Sequence, residues 1–410
     1  MSNFAFGTYR VSDINPQHIE ALKEAIESGI TMIDTSSNYM DGGAERAIAL
    51  AFREFDKSKR DEVEIVSKFG YIQGTALAEF KENSHTFKED IEIVRFADDC
   101  YHSISENFLR SELSKSLKRL EMQKIDCYLI HNPEYYILDA IKQGISRDDR
   151  LDEMYKRIER AFVGLEKEVK NGRINSYGIS SNSFSALQNS DEFLPYKDLI
   201  VLAQNAADEV GNEKNSFSTI ELPINLLETE GLRCAMWAHE NEIRVLANRP
   251  LNAKIQNKMF RLADYEENGA YYSSFNELME ICETEALEPI YNLLEQLDDY
   301  KHKFSWIGDL DIFLYQQVIP HIEKSMRNID DALKEELFTL IDKYLWEYKK
   351  IVAYECSRKT RIELNEFFSG CSSSMQECSI DFLMQKKSIN YIIVGMRKPI
   401  YVHQILSLNR

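Results

Sequence analysis

No uninterrupted apolar stretch in the 410 residues approaches the ~20 that a membrane-spanning helix needs. No basic run is present, and the formal net charge is −19. That argues against binding nucleic acid or an anionic membrane through general electrostatics. The opening MSNFAFGTYR is not a signal peptide. Neither a GxGxxG dinucleotide fingerprint nor a GxxxxGKS/T phosphate loop occurs. Cysteine is limited to Cys100, Cys127, Cys234, Cys282, Cys356, Cys371 and Cys378. Their odd number and irregular spacing predict reduced thiols and a cytoplasmic protein. Cys371 and Cys378 bracket CSSSMQEC, too wide for a CxxC pair, so no metal site is expected. What remains is a soluble globular composition, 44% hydrophobic and 29% charged. The length suits one large α/β barrel plus an extra module.

Strands and helices alternate along the chain. FAFGTYR (4–10) reads as a strand, and Asn15-Pro16 as the N-cap and first position of a helix. Ile19, Leu22 and Ile26 share one face of that helix, and Gly29 ends it. TMIDT, VEIVSKF, IDCYLIH, INSYGIS, STIELPIN, IRVLANRP and NYIIVG supply seven more strands. A helix follows Ser105, and another carries Leu151, Met154, Ile158, Phe162, Leu165 and Val169. Repeated βα units with apolar strands indicate a parallel sheet buried on both faces. Eight such strands would close a (β/α)8 barrel, with the site at the C-terminal ends of the strands.

Two stretches break the alternation. Residues 71–104 follow the third strand. Residues 254–373 read as mostly helical, with Ile322, Met326, Ile329, Leu333, Leu337, Leu340, Ile341, Leu345 and Tyr348 at three- and four-residue steps. The expected division is therefore a barrel of 1–253 and 374–410 and a helical insertion of 254–373. Both insertions leave from C-terminal strand ends. They are either surface additions or walls of the substrate pocket.

Asp34, Tyr39, Lys68 and His131 lie at or just beyond predicted strand ends. A tyrosine acting as a general acid near pH 7 works better with a lowered pKa. An ammonium within ~4–6 Å favours its phenolate. Lys68 can supply that cation, Asp34 can hold it, and His131 can bond a substrate carbonyl. Singly, each has an ordinary structural explanation: a turn cap, a solvated charge, a core histidine.

In order and local context the four resemble the Asp-Tyr-Lys-His tetrad of the aldo-keto reductase superfamily. GTYR (7–10), with Thr8, looks like that family's first-strand motif. GISSNSF (178–184) resembles its GVSNF-type segment, pointing to Ser180 or Ser181, and Asn182, as holders of the nicotinamide carboxamide. ELPINLLE (221–228) places Glu221 where a carboxamide-binding Gln is usual. ANRPLNA (247–253) resembles the loop that passes the pyrophosphate, with Arg249 and Leu251 as candidate contacts. There Asn248 replaces a stacking tyrosine, and Arg249 could compensate by pairing with phosphate. IVGMRKPIYV (393–402) resembles the segment that grips the adenosine 2′-phosphate, implying Gly395, Arg397 and Lys398.

The resemblance implies an NADPH-dependent oxidoreductase, with NADH possible. Hydride transfer would reduce an aldehyde or ketone, and Tyr39 would donate the proton. The alternative is a nucleotide-sensing regulatory or binding subunit, with a protein partner docked on the helical insertion and incidental redox activity; the intact tetrad counts against it.

Overall fold

The computed structural model describes residues 4–82, 92–256, 258–284, 287–327 and 329–408. Part of the 71–104 insertion, residues 83–91, lies outside them, as do residues 257, 285, 286 and 328 of the helical stretch. Two compact units are present, Met1–Pro250 with Asp381–Arg410, and Leu251–Ile380.

In the first unit eight parallel strands close a barrel. In chain order they are Phe4–Gly7, Met32–Asp34, Glu64–Phe69, Ile125–His131, Ile174–Ser180, Phe217–Pro223, Arg244–Asn248 and Tyr391–Val394. Each pairs with its neighbours in sequence, and the first pairs with the eighth. Ala5, Met32, Val66, Cys127, Leu129, Leu246 and Ile393 pack as one apolar cluster contributed by six of these strands. That is why the strands read as apolar runs rather than alternating patterns. Register brings the candidate residues to one end: Gly7 pairs with Asp34, His131 with Ser180, and Ser180 with Glu221.

The outer helices start where their caps predict. The Asn15 side chain accepts from Gln17 N at 3.0 Å, Pro16 opens the helix, and Ala21, Leu22, Ala25 and Ile26 are buried. Ser105 caps Glu106–Leu120 through Phe108 N at 3.3 Å. The first strand is shorter than the expected 4–10. The chain turns after Gly7, Thr8 N bonds Asp34 O at 3.0 Å, and Tyr9 stands out in solvent. The first insertion is not irregular. Tyr71–Ile72, Val94–Ala97 and Cys100–His102 form a three-stranded antiparallel sheet, and Gly74–Glu82 is helical.

The second unit opens with an antiparallel hairpin, Asn252–Ile255 with Lys258–Arg261, which the helical reading did not anticipate. The rest is helical as expected and includes the 33-residue helix Asp331–Glu363. Ile322, Met326, Leu337, Ile341 and Tyr348 from the predicted stripe lie in one core with Tyr271, Leu278, Leu294 and Leu297. Cys371 and Cys378 are joined by a disulfide, so the expectation of uniformly reduced cysteines fails at this pair. A short turn brings their Cα atoms to 6.1 Å, within bridging range, which irregular spacing did not reveal. The other five cysteines are buried thiols. Among the described residues no helix is long and apolar enough to cross a membrane.

Candidate active site

Asp34 ends the second barrel strand and Lys68 sits one residue before the end of the third. Both are buried, Lys68 completely. Lys68 Nζ contacts Asp34 Oδ1 directly and donates to the Thr35 carbonyl at 3.0 Å. A second carboxylate joins them, with Glu221 Oε2 3.1 Å from the same Nζ. Tyr39 follows in the turn after Asp34. Met40, Asp41 and Gly42, all at positive φ, reverse the chain into the helix Gly43–Phe52. This turn leaves the Tyr39 ring 5.3 Å from Lys68 Nζ. His131 ends the fourth strand, its ring edge-on to Tyr39 at 5.9 Å. All four tetrad candidates therefore meet at one end of the barrel.

The electrostatics depart from the sequence expectation in one respect. Burial raises the Tyr39 pKa, and the opposing pull of Lys68 does not overcome it; Asp34 and Glu221 push the same way as burial. The phenol is therefore not acidified as the Lys68 argument predicted. The lysine's charge is shared with two carboxylates, and desolvation of the phenolate wins. Lys68 itself is held charged. Burial works against the ammonium, but Asp34 and Glu221 outweigh it and raise its pKa. Burial, and then Glu221, raise the Asp34 carboxyl well above the usual range despite Lys68. His131 is kept neutral by burial, by the Lys68 charge and by His102.

The cofactor candidates fall along the same strand ends, with varied engagements. Ser180 and Ser181 are buried, while Asn182 is exposed. Ser181 Oγ donates to Glu134 at 2.8 Å, and Asn182 Nδ2 donates to Asn132 Oδ1 at 3.2 Å. Thr8 Oγ1 is bonded to the Asp34 carbonyl at 2.8 Å. Asn248 Nδ2 donates to Glu221 Oε1 at 2.8 Å. Arg249, at positive φ, pairs with Glu228 at 2.8 Å. Leu251 is the first residue of the second unit, and its carbonyl accepts from Leu262 N at 2.9 Å. Gly395 and Arg397 are exposed just past the eighth strand, and Lys398 immediately precedes the helix Pro399–Leu406. His18 is held low by burial and then by the charge of Arg397, which places that guanidinium's field at this edge.

The Aldo/keto reductase family matches residues 3–409. This chain belongs to it. The aldo-keto reductase YhdN of Bacillus subtilis (strain 168) is 32% identical over 229 residues, 56% of this chain and 50% of that protein. The chain thus matches about half the length of that relative. Among solved structures, the glycerol dehydrogenase AKR11B4 from Gluconobacter oxydans is 14% identical, with a TM-score of 0.49 over 100% of this chain and 86% of its own. An aldo/keto reductase from Klebsiella pneumoniae, in complex with NADP and acetate, is 20% identical. Its TM-score is 0.38, over 61% of this chain and 65% of its own.

Several residues around these four candidates were not singled out from sequence. The Ser36 hydroxyl lies 3.1 Å from His131 Nδ1 and 2.7 Å from the Asn38 carboxamide. His102 Nε2 is 2.7 Å from the His131 carbonyl, and burial above all lowers its pKa to about 4, so it is neutral and donates there. The Tyr71 ring stands edge-on to His131 at 4.8 Å, and its hydroxyl accepts from Asn132 Nδ2 at 2.6 Å. Gly70, at φ +151°, makes this close approach possible. A Cβ there would lie 2.6 Å from both His102 Nε2 and the His131 carbonyl. His102 and Tyr71 belong to the small sheet of the first insertion, so that insertion supports His131 directly. The only advance signals were Ser36 near Asp34 and the histidine in DDCYHSIS, neither sufficient alone.

Proposed function

We propose that this chain is an NADPH-dependent oxidoreductase that reduces the carbonyl of an aldehyde or ketone, with Tyr39 as proton donor. The observation that carries the reading is a buried Lys68 ammonium, 5.3 Å from the Tyr39 ring, anchored by Asp34, with His131 edge-on to the same tyrosine. Tyr39 rests as a phenol, the form that can give up a proton. Lys68 offsets the charge that the phenolate acquires as the proton leaves, in a site where water does not screen it. His131 is neutral. Donation from its Nε2–H to a carbonyl oxygen requires the Ser36 hydrogen, directed at Asn38 Oδ1 at 2.7 Å, to turn to His131 Nδ1 at 3.1 Å, and His102 fixes the backbone behind it.

The residues at the strand ends fit a nicotinamide cofactor in their donor and acceptor character. Asn248 Oδ1 and Arg249 Nε are buried with no hydrogen-bond partner among the described residues, and Asn182 is exposed two strands away in the barrel order. Arg397 and Lys398 supply positive charge suited to a 2′-phosphate, which favours NADPH over NADH. Bound NADPH would supply the reducing equivalents. Arg249 would have to give up Glu228 to pair with phosphate, so it is a weaker candidate contact than the sequence suggested.

The test is NADPH consumption by the purified protein across a panel of aldehydes and diketones, repeated with Tyr39→Phe. The variant should lose ~10²–10⁴ in turnover, as expected when a general acid is removed. NADPH binding, followed by fluorescence, should be nearly unchanged. A Phe variant that turns over a good substrate at the wild-type rate would remove Tyr39 from the chemistry.

A further inference from the structure

We propose that Asp34 and Glu221 share one proton beside Lys68, forming a buried acid–carboxylate pair that serves as the proton reserve for Tyr39. Two carboxyl groups converge on one ammonium: Asp34 Oδ1 touches Lys68 Nζ, and Glu221 Oε2 lies 3.1 Å from it. Asp34 is 3% exposed and Glu221 2%, so water cannot balance the extra negative charge. Two ionised carboxylates and one ammonium would leave a net charge of −1 in that enclosure. One proton makes the trio neutral.

The hydrogen bonding agrees. Glu221 Oε1 accepts from Asn248, and apart from the Lys68 ammonium at 3.1 Å, Glu221 Oε2 has no hydrogen-bond partner among the described residues. Burial, and then the Glu221 charge, raise the Asp34 pKa, as two carboxyl groups converging on one ammonium should. Carboxylates sharing a site hold one proton more tightly than either would alone. The other titratable groups facing the trio are Tyr39 and His131; Tyr9 stands edge-on to Tyr39. None of them supplies a second cation.

The relay rests on the function proposed above; the shared proton does not. Tyr39 O–H breaks as its proton passes to the reduced carbonyl oxygen. A Lys68 N–H then gives its proton to the phenolate, and the carboxylic acid gives its proton to the lysine amine. The pair is left as two carboxylates, and a solvent proton refills it after product departs. Atoms and charge balance at each step, and no oxidant is required. Glu221 acts here through Lys68 and is a positioning residue rather than a group that touches substrate.

Infrared difference spectroscopy reads the shared proton without any substrate. Wild-type protein at neutral pH should show the C=O stretch of a protonated carboxylic acid. Both Glu221→Gln and Asp34→Asn should lose the equivalent of one such group. Glu134→Gln is the control, since burial raises that carboxyl too, and it should leave this component in place. Glu221→Met removes the same group if the Gln variant fails to fold, as judged by thermal melt. No acid band at neutral pH in wild type, or a band unchanged in the Glu221 and Asp34 variants, overturns the proposal. The pH profile of carbonyl reduction should also lose one ionisation in Glu221→Gln. A band lost on schedule in a protein that reduces no carbonyl would sink the proposed function and leave the shared proton standing.

Discussion

Replacing Lys68 by Met should cost both stability and acid strength, in amounts that follow from its surroundings. The ammonium is completely buried and is the cation shared by two buried carboxyl groups. Removing one partner of a buried ion pair typically costs about 3–5 kcal/mol, because the other charge is left uncompensated. At about 2 °C per kcal/mol for a domain of this size, the melting temperature should fall by about 6–10 °C near pH 8. The loss should depend on pH. Burial and Glu221 already hold the Asp34 pKa above its unfolded value. Without the ammonium that value rises further. A group whose folded pKa is raised contributes stability at low pH and loses it as pH climbs through the folded value. The variant should therefore approach wild type near pH 4 and diverge steadily toward pH 8. Lys68 has the opposite relation to this range in wild type. Its own raised pKa means its contribution is complete at neutral pH and fades only in strong alkali. On the chemistry, a charge 5.3 Å from the Tyr39 ring is worth about 3 kcal/mol at an effective dielectric constant of about 20, or about two pKa units. The phenol becomes a weaker acid by that much, and reduction should slow by up to ~10²-fold. Thermal melts from pH 4 to 8 on both proteins decide the first point. A melting difference that is constant with pH would refute the reasoning, because an uncompensated carboxyl pair cannot behave that way.

Arg397→Ala should weaken NADPH binding more than NADH binding, since a guanidinium facing a 2′-phosphate acts only on the phosphorylated cofactor. Fluorescence titration with both cofactors checks this, and equal losses would move attention to Lys398. Gly70→Ala should destabilise the fold by about 2 kcal/mol or more through backbone strain and a displaced His102, read by urea denaturation. An alanine variant as stable as wild type would mean the His102–His131 contact yields without cost.

The barrel and the four candidate residues that meet at its rim were legible because each has a strong local signature. Apolar strand runs alternate with capped helices, and the caps at Asn15 and Ser105 stand where the sequence places them. Asp34, Tyr39, Lys68 and His131 converge because parallel register puts every strand's C-terminal end on one rim. What stayed illegible depends on distances across that rim. Glu221 read as a substituted carboxamide contact, yet it lies 3.1 Å from Lys68 and changes the charge of the whole site. No spacing rule connects residues 68 and 221, since two barrel strands lie between theirs around the ring. The same limit explains the error over Tyr39. A lysine beside a tyrosine predicts an acidified phenol only if water still reaches it and the lysine is not already balanced. Burial and two carboxylates reverse that sign. Charge type can be read from a sequence, but the acidity of a group depends on how many charges share one enclosure, and only the folded barrel sets that number.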